Sequence, residues 1–375
     1  MVDDILKDRK LDHINVVLER NPESIHPTLL DDVRIVHNPL PEVDLDDVSL
    51  KTNFCGREIP TPLMITGMTG GHPEVEPINE KLARVAQEYG LAMGVGSQRP
   101  ALKYPELART YRVARKVAPD IFLVANIGAP QLAREYGIED VKRAVEMIDA
   151  DAIAIHLNPG QEAFQKEGDP FYAGVTDKIV EILDHVNVPL IIKETGTGIS
   201  YEVARELYNI GVKCFDTAGL GGTNWIKVEV LRSLRRGEAP LPAGPLADYW
   251  GNPTALAVIE TRTAAPGAYI VGSGGIRDGL DAAKVIALGA DIAGLALPAL
   301  RVLIRSGVEG LRKYINSILY QIKSIIFLTG GKRPVDLWRT PITITGRLYE
   351  EAKGRGINLT NYINITRINT VGARR

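Results

Sequence analysis

Short apolar runs alternate along most of this chain with longer stretches of helical period. The runs are PLMITGMTG (62–70), AMGVGSQR (92–99), IFLVANIG (121–128), AIAIHLNP (152–159), PLIIKETG (189–196), CFDTAG (214–219), YIVGSGG (269–275) and IAGLALP (292–298). Between them, NEKLARVAQEYG, EDVKRAVEMIDA, YEVARELYNIG and LDAAKVIALGA carry apolar residues every three to four positions. Several end in the glycine that suits a left-handed helix cap. Strand–helix alternation means parallel strands joined by crossovers. Eight such units predict an α/β chain folded as a (β/α)8 TIM barrel over residues 62–375, preceded by an N-terminal extension, 1–61. A doubly wound open sheet is the alternative.

The polar residues gather where the strands end. Thr66, Met68 and Thr69 follow the first run, Ser97, Gln98 and Arg99 the second, and Asn126 closes the third. His156, Asn158, Gln161 and Glu162 follow the fourth, Lys193 and Glu194 end the fifth, and Thr217 and Thr223 follow the sixth. Barrel enzymes build their sites on that face. Ile153, Ile155 and Leu157 are then expected to face the surrounding helices, with the polar end forming part of a wall. The insertion RRGEAPLPAGPLADYWGNP (235–253) is too rich in Pro and Gly for regular structure and reads as a lid or a disordered loop.

Composition narrows the functions. At 45% hydrophobic and 24% charged the chain is ordinary for a globular protein, and a net charge of -2 attracts neither nucleic acid nor anionic membrane. No apolar run reaches the ~20 residues of a membrane span, and YINSILYQIKSIIFLTGG reads as an amphipathic helix. The opening MVDDILKDRK has no apolar core, so no leader is expected. Cys55 and Cys214 lack metal spacing and are expected as reduced thiols, which favours a cytoplasmic setting.

Two local patterns point to an anionic ligand. In YIVGSGGIRDGLDAAK a strand ends in Gly272–Gly275 and a helix begins near Asp278. Glycines let backbone approach an anion, a helix N-terminus offers free N–H groups, and barrels commonly bind phosphate after strands seven and eight. Arg277 adds a charge; a plain tight turn is the alternative. Lys193 shares a face with Ile191 and Thr195. If that face is interior, the ammonium needs an anion, supplied by a reduced flavin or by another barrel carboxylate.

Taken together, MTGG (68–71), SQR (97–99), HLNPGQE (156–162), KETGTGIS (193–200), DTAGLGGTNW (216–225), GSGGIR (272–277), RKLDH (9–13) and TPITITGRL (340–348) resemble the type 2 isopentenyl-diphosphate isomerase family over nearly the whole chain. The resemblance implies interconversion of isopentenyl diphosphate and dimethylallyl diphosphate in isoprenoid biosynthesis, with FMN, NADPH to reduce it, and Mg2+. It implies FMN contacts at Thr66, Gly67, Met68, Thr69, Gly70, Ser97, Asn126, Lys193 and Thr223, and phosphate contacts at Gly275, Ile276, Arg277, Ala296 and Leu297. Substrate contacts fall to Arg9, Lys10, His13, Ser97, Gln98, Arg99 and Gln161, so the N-terminal extension is expected to fold over the barrel mouth of its own or a neighbouring subunit. Gln161, His156 and Asn158 take catalytic or positioning roles, and Glu162 the metal. A structural histidine at 156, a solvated charge run at 9–10 and a helix-capping Glu162 are the alternatives. A cytoplasmic homo-oligomer, tetramer or octamer, is expected.

Three rivals are weighed on residues. A flavin-dependent 2-hydroxy-acid oxidase needs a histidine base from a late strand, yet His13, His26, His37, His72, His156 and His185 all precede the end of the fifth. An inosine-monophosphate-dehydrogenase-like reading needs a loop cysteine, whereas Cys214 begins a strand. A non-catalytic flavin barrel would be yellow but inert towards both diphosphates.

Overall fold

Period-two alternation with both faces apolar is the signature of strands buried inside a shell of helices, and it governs the architecture. The computed structural model describes residues 2–369, with 2–9, 365 and 366 described by backbone alone. The strands are β1 (Val33–Ile35), β2 (Thr52–Phe54), β3 (Arg57–Ile59), β4 (Leu63–Ile65), β5 (Ala92–Gly94) and β6 (Leu123–Gly128). They continue as β7 (Ala152–His156), β8 (Leu190–Lys193), β9 (Cys214–Asp216), β10 (Tyr269–Ser273), β11 (Ile292–Leu295) and β12 (Ile342–Ile344). Strands β4 to β11 close in chain order into one parallel barrel, β11 pairing with β4. The open-sheet alternative is thereby excluded. Ile153 and Ile155 join the core shared with the helices, while Ala152 and Ala154 face Met64, Val124 and Ile191 inside the barrel. The strands are shorter than the apolar runs: in all but the third, the last residues turn out of the ladder to form the mouth.

The barrel floor is an antiparallel hairpin, β2–β3. Phe54 meets Phe122 edge to face at 5.4 Å and Tyr269 at 6.3 Å. The neighbouring Cys55 is disulfide-bonded to Cys214 at the start of β9, with Cα atoms 6.1 Å apart. This corrects the expectation of two reduced thiols: their sequence separation of 159 concealed that the hairpin brings one beneath the other. A cytoplasmic setting therefore draws no support from free thiols and rests on the family resemblance alone.

The extension is tied to the other end of the chain. β1 pairs antiparallel with β12, Val33 opposite Ile344. Ahead of it, the helix Val2–Glu19 packs Ile14, Val16 and Val17 against Val228, Leu297 and Leu300. After the barrel, the helix Leu297–Leu328 kinks at Gly307 (φ 66°). No helix among the described residues is long and apolar enough to cross a membrane.

The 235–253 insertion is not a lid. It contributes no residue to the wall of the mouth pocket. Instead Ala243 and Ala247, the latter in a short turn of helix (Leu246–Tyr249), pack on Ile226, and Lys227 holds Asp248 at 2.7 Å. The cover over the mouth is the N-terminal helix.

Candidate functional site

The carboxyl ends of the barrel strands surround a pocket of about 1500 Å³, part of it open to solvent. Thr66–Thr69 come from β4, Ser97 from β5, Asn126 from β6, His156 and Asn158 from β7, Lys193 from β8, Ser273–Ile276 from β10 and Leu295–Leu297 from β11. The N-terminal helix adds Lys10, His13, Ile14 and Val17, and Trp225 completes an apolar patch with Leu300.

One end of the pocket is made of backbone. Gly274 (φ 106°) and Gly275 (φ 71°) occupy the left-handed region, and the loop after β9 lies directly against them. A side chain on Gly222 would run into the Gly275 amide, and one on Gly275 into the Gly221 carbonyl. Thr254 donates its hydroxyl to the Gly274 carbonyl at 2.6 Å, locking the turn. Helices starting at Gly279 (capped by Asp278) and Leu297 (after Ala296) flank the cradle. Among the described residues, the N–H groups of Gly275 and Ile276 meet no protein acceptor. Such donors in a glycine turn just ahead of a helix suit a phosphate.

Deeper in, Lys193 is buried. It donates to the Glu194 carbonyl at 2.7 Å and lies 3.5 Å from the Asp216 carboxylate, which also takes the Ser273 hydroxyl. Lys193 thus has a barrel carboxylate and still faces the pocket. The Thr69 hydroxyl, buried on the same wall, has no hydrogen-bond partner. An orphaned hydroxyl, an inward ammonium and a glycine cradle fit a planar polar cofactor carrying a phosphate.

The other end is made of side chains. The helix Pro159–Phe164 begins right after β7 and sends its two polar residues apart. Gln161 donates to Glu229 at 2.8 Å and accepts from the Asn158 amide at 3.1 Å. Glu162, buried, accepts from Asn158 at 2.8 Å and from the Asp169 amide at 2.7 Å. These bonds are not helix-capping ones. Tyr172 gives its hydroxyl to the Asn158 carbonyl oxygen at 2.9 Å, fixing which way that amide points. His156 lies 2.7 Å from Asn126 through Nδ1. Arg99 bridges Asp169 (2.7 Å) and Glu135 (3.1 Å).

Not every expected residue reaches the pocket wall. Gln98 is fully buried behind it: its amide donates to the Ala144 carbonyl at 2.8 Å and accepts from the Asn126 N–H. Gly70 packs under the Tyr111 ring instead. Arg277 turns outward, its guanidinium taken by Glu23 (2.8 Å) and the carbonyls of Gly275 and Gly221. The side chain of Arg9 lies outside the described residues, although its backbone is in the N-terminal helix. Ser97, Thr223, Ala296 and Leu297 all lie on the wall.

Glu229 was not anticipated. It is buried between His13 (2.9 Å), Gln161 and Arg232. Burial alone would raise its pKa, but the opposing charge and hydrogen bond of His13, with Arg232, hold it well below the usual carboxylate range, at about 2. A signal existed: in WIKVEVLRSLR the period of Ile226 and Ser233 puts Glu229 and Arg232 on the buried face.

Fold and site together define a flavin-type (β/α)8 enzyme, and the comparisons with known proteins agree. Residues 157–343 match the FMN-dependent dehydrogenase family. The barrel is similar to mandelate oxidase structures, one with (S)-mandelic acid (TM-score 0.61, 17% identity, 89% of this chain and 94% of that one) and one with benzoyl-formic acid (0.61, 18%, 91% and 98%); these show the fold alone. In sequence the chain is 59% identical over 360 residues to an isopentenyl-diphosphate delta-isomerase of Aeropyrum pernix, covering 96% of each. It is 44% identical to that of Metallosphaera sedula (96% and 98%) and 43% to that of Methanopyrus kandleri (94% and 96%). The chain belongs to the isopentenyl-diphosphate delta-isomerase family. It is an isomerase, and the family matches support FMN as its cofactor.

Proposed function

We propose that this pocket interconverts isopentenyl diphosphate and dimethylallyl diphosphate by a 1,3-allylic proton shift with reduced FMN bound, serving isoprenoid biosynthesis. The observation that carries the reading is one pocket with two unlike anion-receptive ends: a backbone cradle at Gly274–Ile276, and a side-chain end holding Lys10, Arg99 and Glu162. The first suits a flavin phosphate and the second a substrate diphosphate.

The reaction adds a proton at one allylic carbon and removes one at the other, with no net redox change. Reduced FMN, when bound, supplies a proton donor and an electron-rich face. The chain's residues do the rest. Met68, Thr69, Ser97, Asn126, Lys193 and Thr223 would hold the ring system, and Gly275, Ile276, Ala296 and Leu297 the phosphate end. Lys10, Arg99 and the preceding Arg9 would bind diphosphate with charge-assisted bonds. Glu162 would carry Mg2+ to it, a single carboxylate plus phosphates being a set Mg2+ accepts. Ile14, Val17, Trp225 and Leu300, an apolar patch on the wall, would exclude water from the prenyl chain. Gln161, oriented by Glu229 and Asn158, would aim at the alkene, and His156 would position it from β7. NADPH as reductant, a homo-oligomer and a cytoplasmic setting complete the reading.

The test is the visible spectrum followed by turnover. Purified protein is expected to be yellow, to bleach with NADPH, and to convert isopentenyl diphosphate only once bleached. Full activity in flavin-stripped protein would overturn the proposal.

A further inference from the structure

Beside the side-chain end of the pocket runs the loop 165–171. Its turn is tightly made. Gly168 donates to the Gln165 carbonyl at 2.9 Å, and any side chain on Gly168 would strike the Glu162 carbonyl. Phe171 donates back to the Asp169 carbonyl at 2.8 Å, and the Arg134 guanidinium covers the Phe171 ring at 3.8 Å. The residue so held, Asp169, makes two contacts in opposite directions. Its backbone N–H reaches Glu162 Oε2 at 2.7 Å, and its carboxylate takes Arg99 at 2.7 Å. One residue therefore joins the carboxylate read as the metal ligand to the guanidinium read as a diphosphate ligand.

Arg99 has a competing partner. Its second nitrogen reaches Glu135 at 3.1 and 3.4 Å, and Glu135 is 45% exposed while Arg99 is 17% exposed. Without Asp169, the outer carboxylate alone would draw the guanidinium and pull it from the pocket wall. We propose that Asp169 is a positioning residue that keeps Arg99 at the pocket and, through its amide, holds Glu162 in register with it. The proposal rests on the diphosphate reading of the pocket. It makes a prediction opposite in sign to simple electrostatics. Removing a carboxylate from beside an anion site should strengthen anion binding if that carboxylate only repels. Removing a positioning carboxylate weakens it.

The test titrates inorganic pyrophosphate into the flavin-loaded protein by calorimetry at fixed Mg2+. Asp169→Asn keeps the amide and the shape, and is expected to raise the pyrophosphate Kd by about tenfold, with the flavin spectrum unchanged. Adding Glu135→Gln is expected to recover most of that loss, because it removes the competing pull; such non-additivity marks residues sharing one partner. Gly168→Ala, which displaces the amide, is expected to raise the Mg2+ concentration needed for half-maximal pyrophosphate binding. Tighter or unchanged binding in Asp169→Asn, with Arg99→Gln still weakened, would overturn the positioning role alone. Undiminished binding in Arg99→Gln would overturn the diphosphate reading and the coupling with it.

Discussion

At the amino ends of the barrel strands, Phe54 is wedged between Phe122 and Tyr269 and the Cys55–Cys214 bond ties the floor to β9. At the carboxyl ends of the same strands stand Asn126, His156, Lys193 and Asp216, with glycines that bring backbone close to backbone. The floor around Phe54 is closed by apolar packing. The mouth keeps an orphaned hydroxyl and buried charges, groups whose desolvation is repaid only by partners. One set of strands thus divides stability and chemistry between its ends, and variants at each end should fail in different assays.

The largest effect is expected at the cradle. Gly275→Val forces a branched side chain into the left-handed region and into the Gly221 carbonyl, so purified protein should carry no flavin absorbance. At the floor, Phe54→Ala should cost about 3–5 kcal/mol of stability by denaturant unfolding, while kcat per folded molecule stays within about twofold. A collapse of kcat there would erase the division.

Within the mouth the comparison sharpens between neighbours. Gln161→Ala should lower kcat by at least about tenfold with its Mg2+ midpoint unchanged. Glu162→Gln should shift that midpoint upward and recover as Mg2+ rises. One shared midpoint for wild type and both variants would remove Glu162 from the metal.

The smallest effect is in acid. The folded pKa of Glu229, about 2, lies below its ordinary 4.5. Its contribution to stability is therefore complete above pH 4.5 and lost as pH falls through 2. Glu229→Gln should flatten the fall of stability across that window, seen by unfolding at a series of pH values.

The barrel was legible because alternation and helical period repeat eight times and agree with one topology. Alternation set Lys193 on one face with Ile191 and Thr195, and the structure turns that face inward. At SQR and GSGGIR, residues adjacent in sequence part ways in the structure. Ser97 and Gln98 leave the strand on opposite sides, so one lines the pocket and the other braces Ala144. Arg277 follows the cradle but is drawn outward by Glu23, which lies 254 positions away. The β2–β3 hairpin escaped notice because its strands are only three residues long. Its disulfide is a tertiary fact that spacing cannot show. Asp169 meets Arg99 and Glu162, and Glu229 meets His13 and Gln161, across other elements, and no motif spells out such a pairing.

The pairing of β1 with β12 bears on how the protein is made. On the ribosome, residues 33–35 emerge early and have no sheet partner until residues 342–344 follow. The N-terminal helix waits as well, since Val228, Glu229 and Leu300, on which it lies, are translated long after it. Chain order thus lets the floor and walls assemble during synthesis and leaves the roof for last. The helix that covers the mouth is therefore among the last elements that can be seated, and until then the cradle lies open to a cofactor.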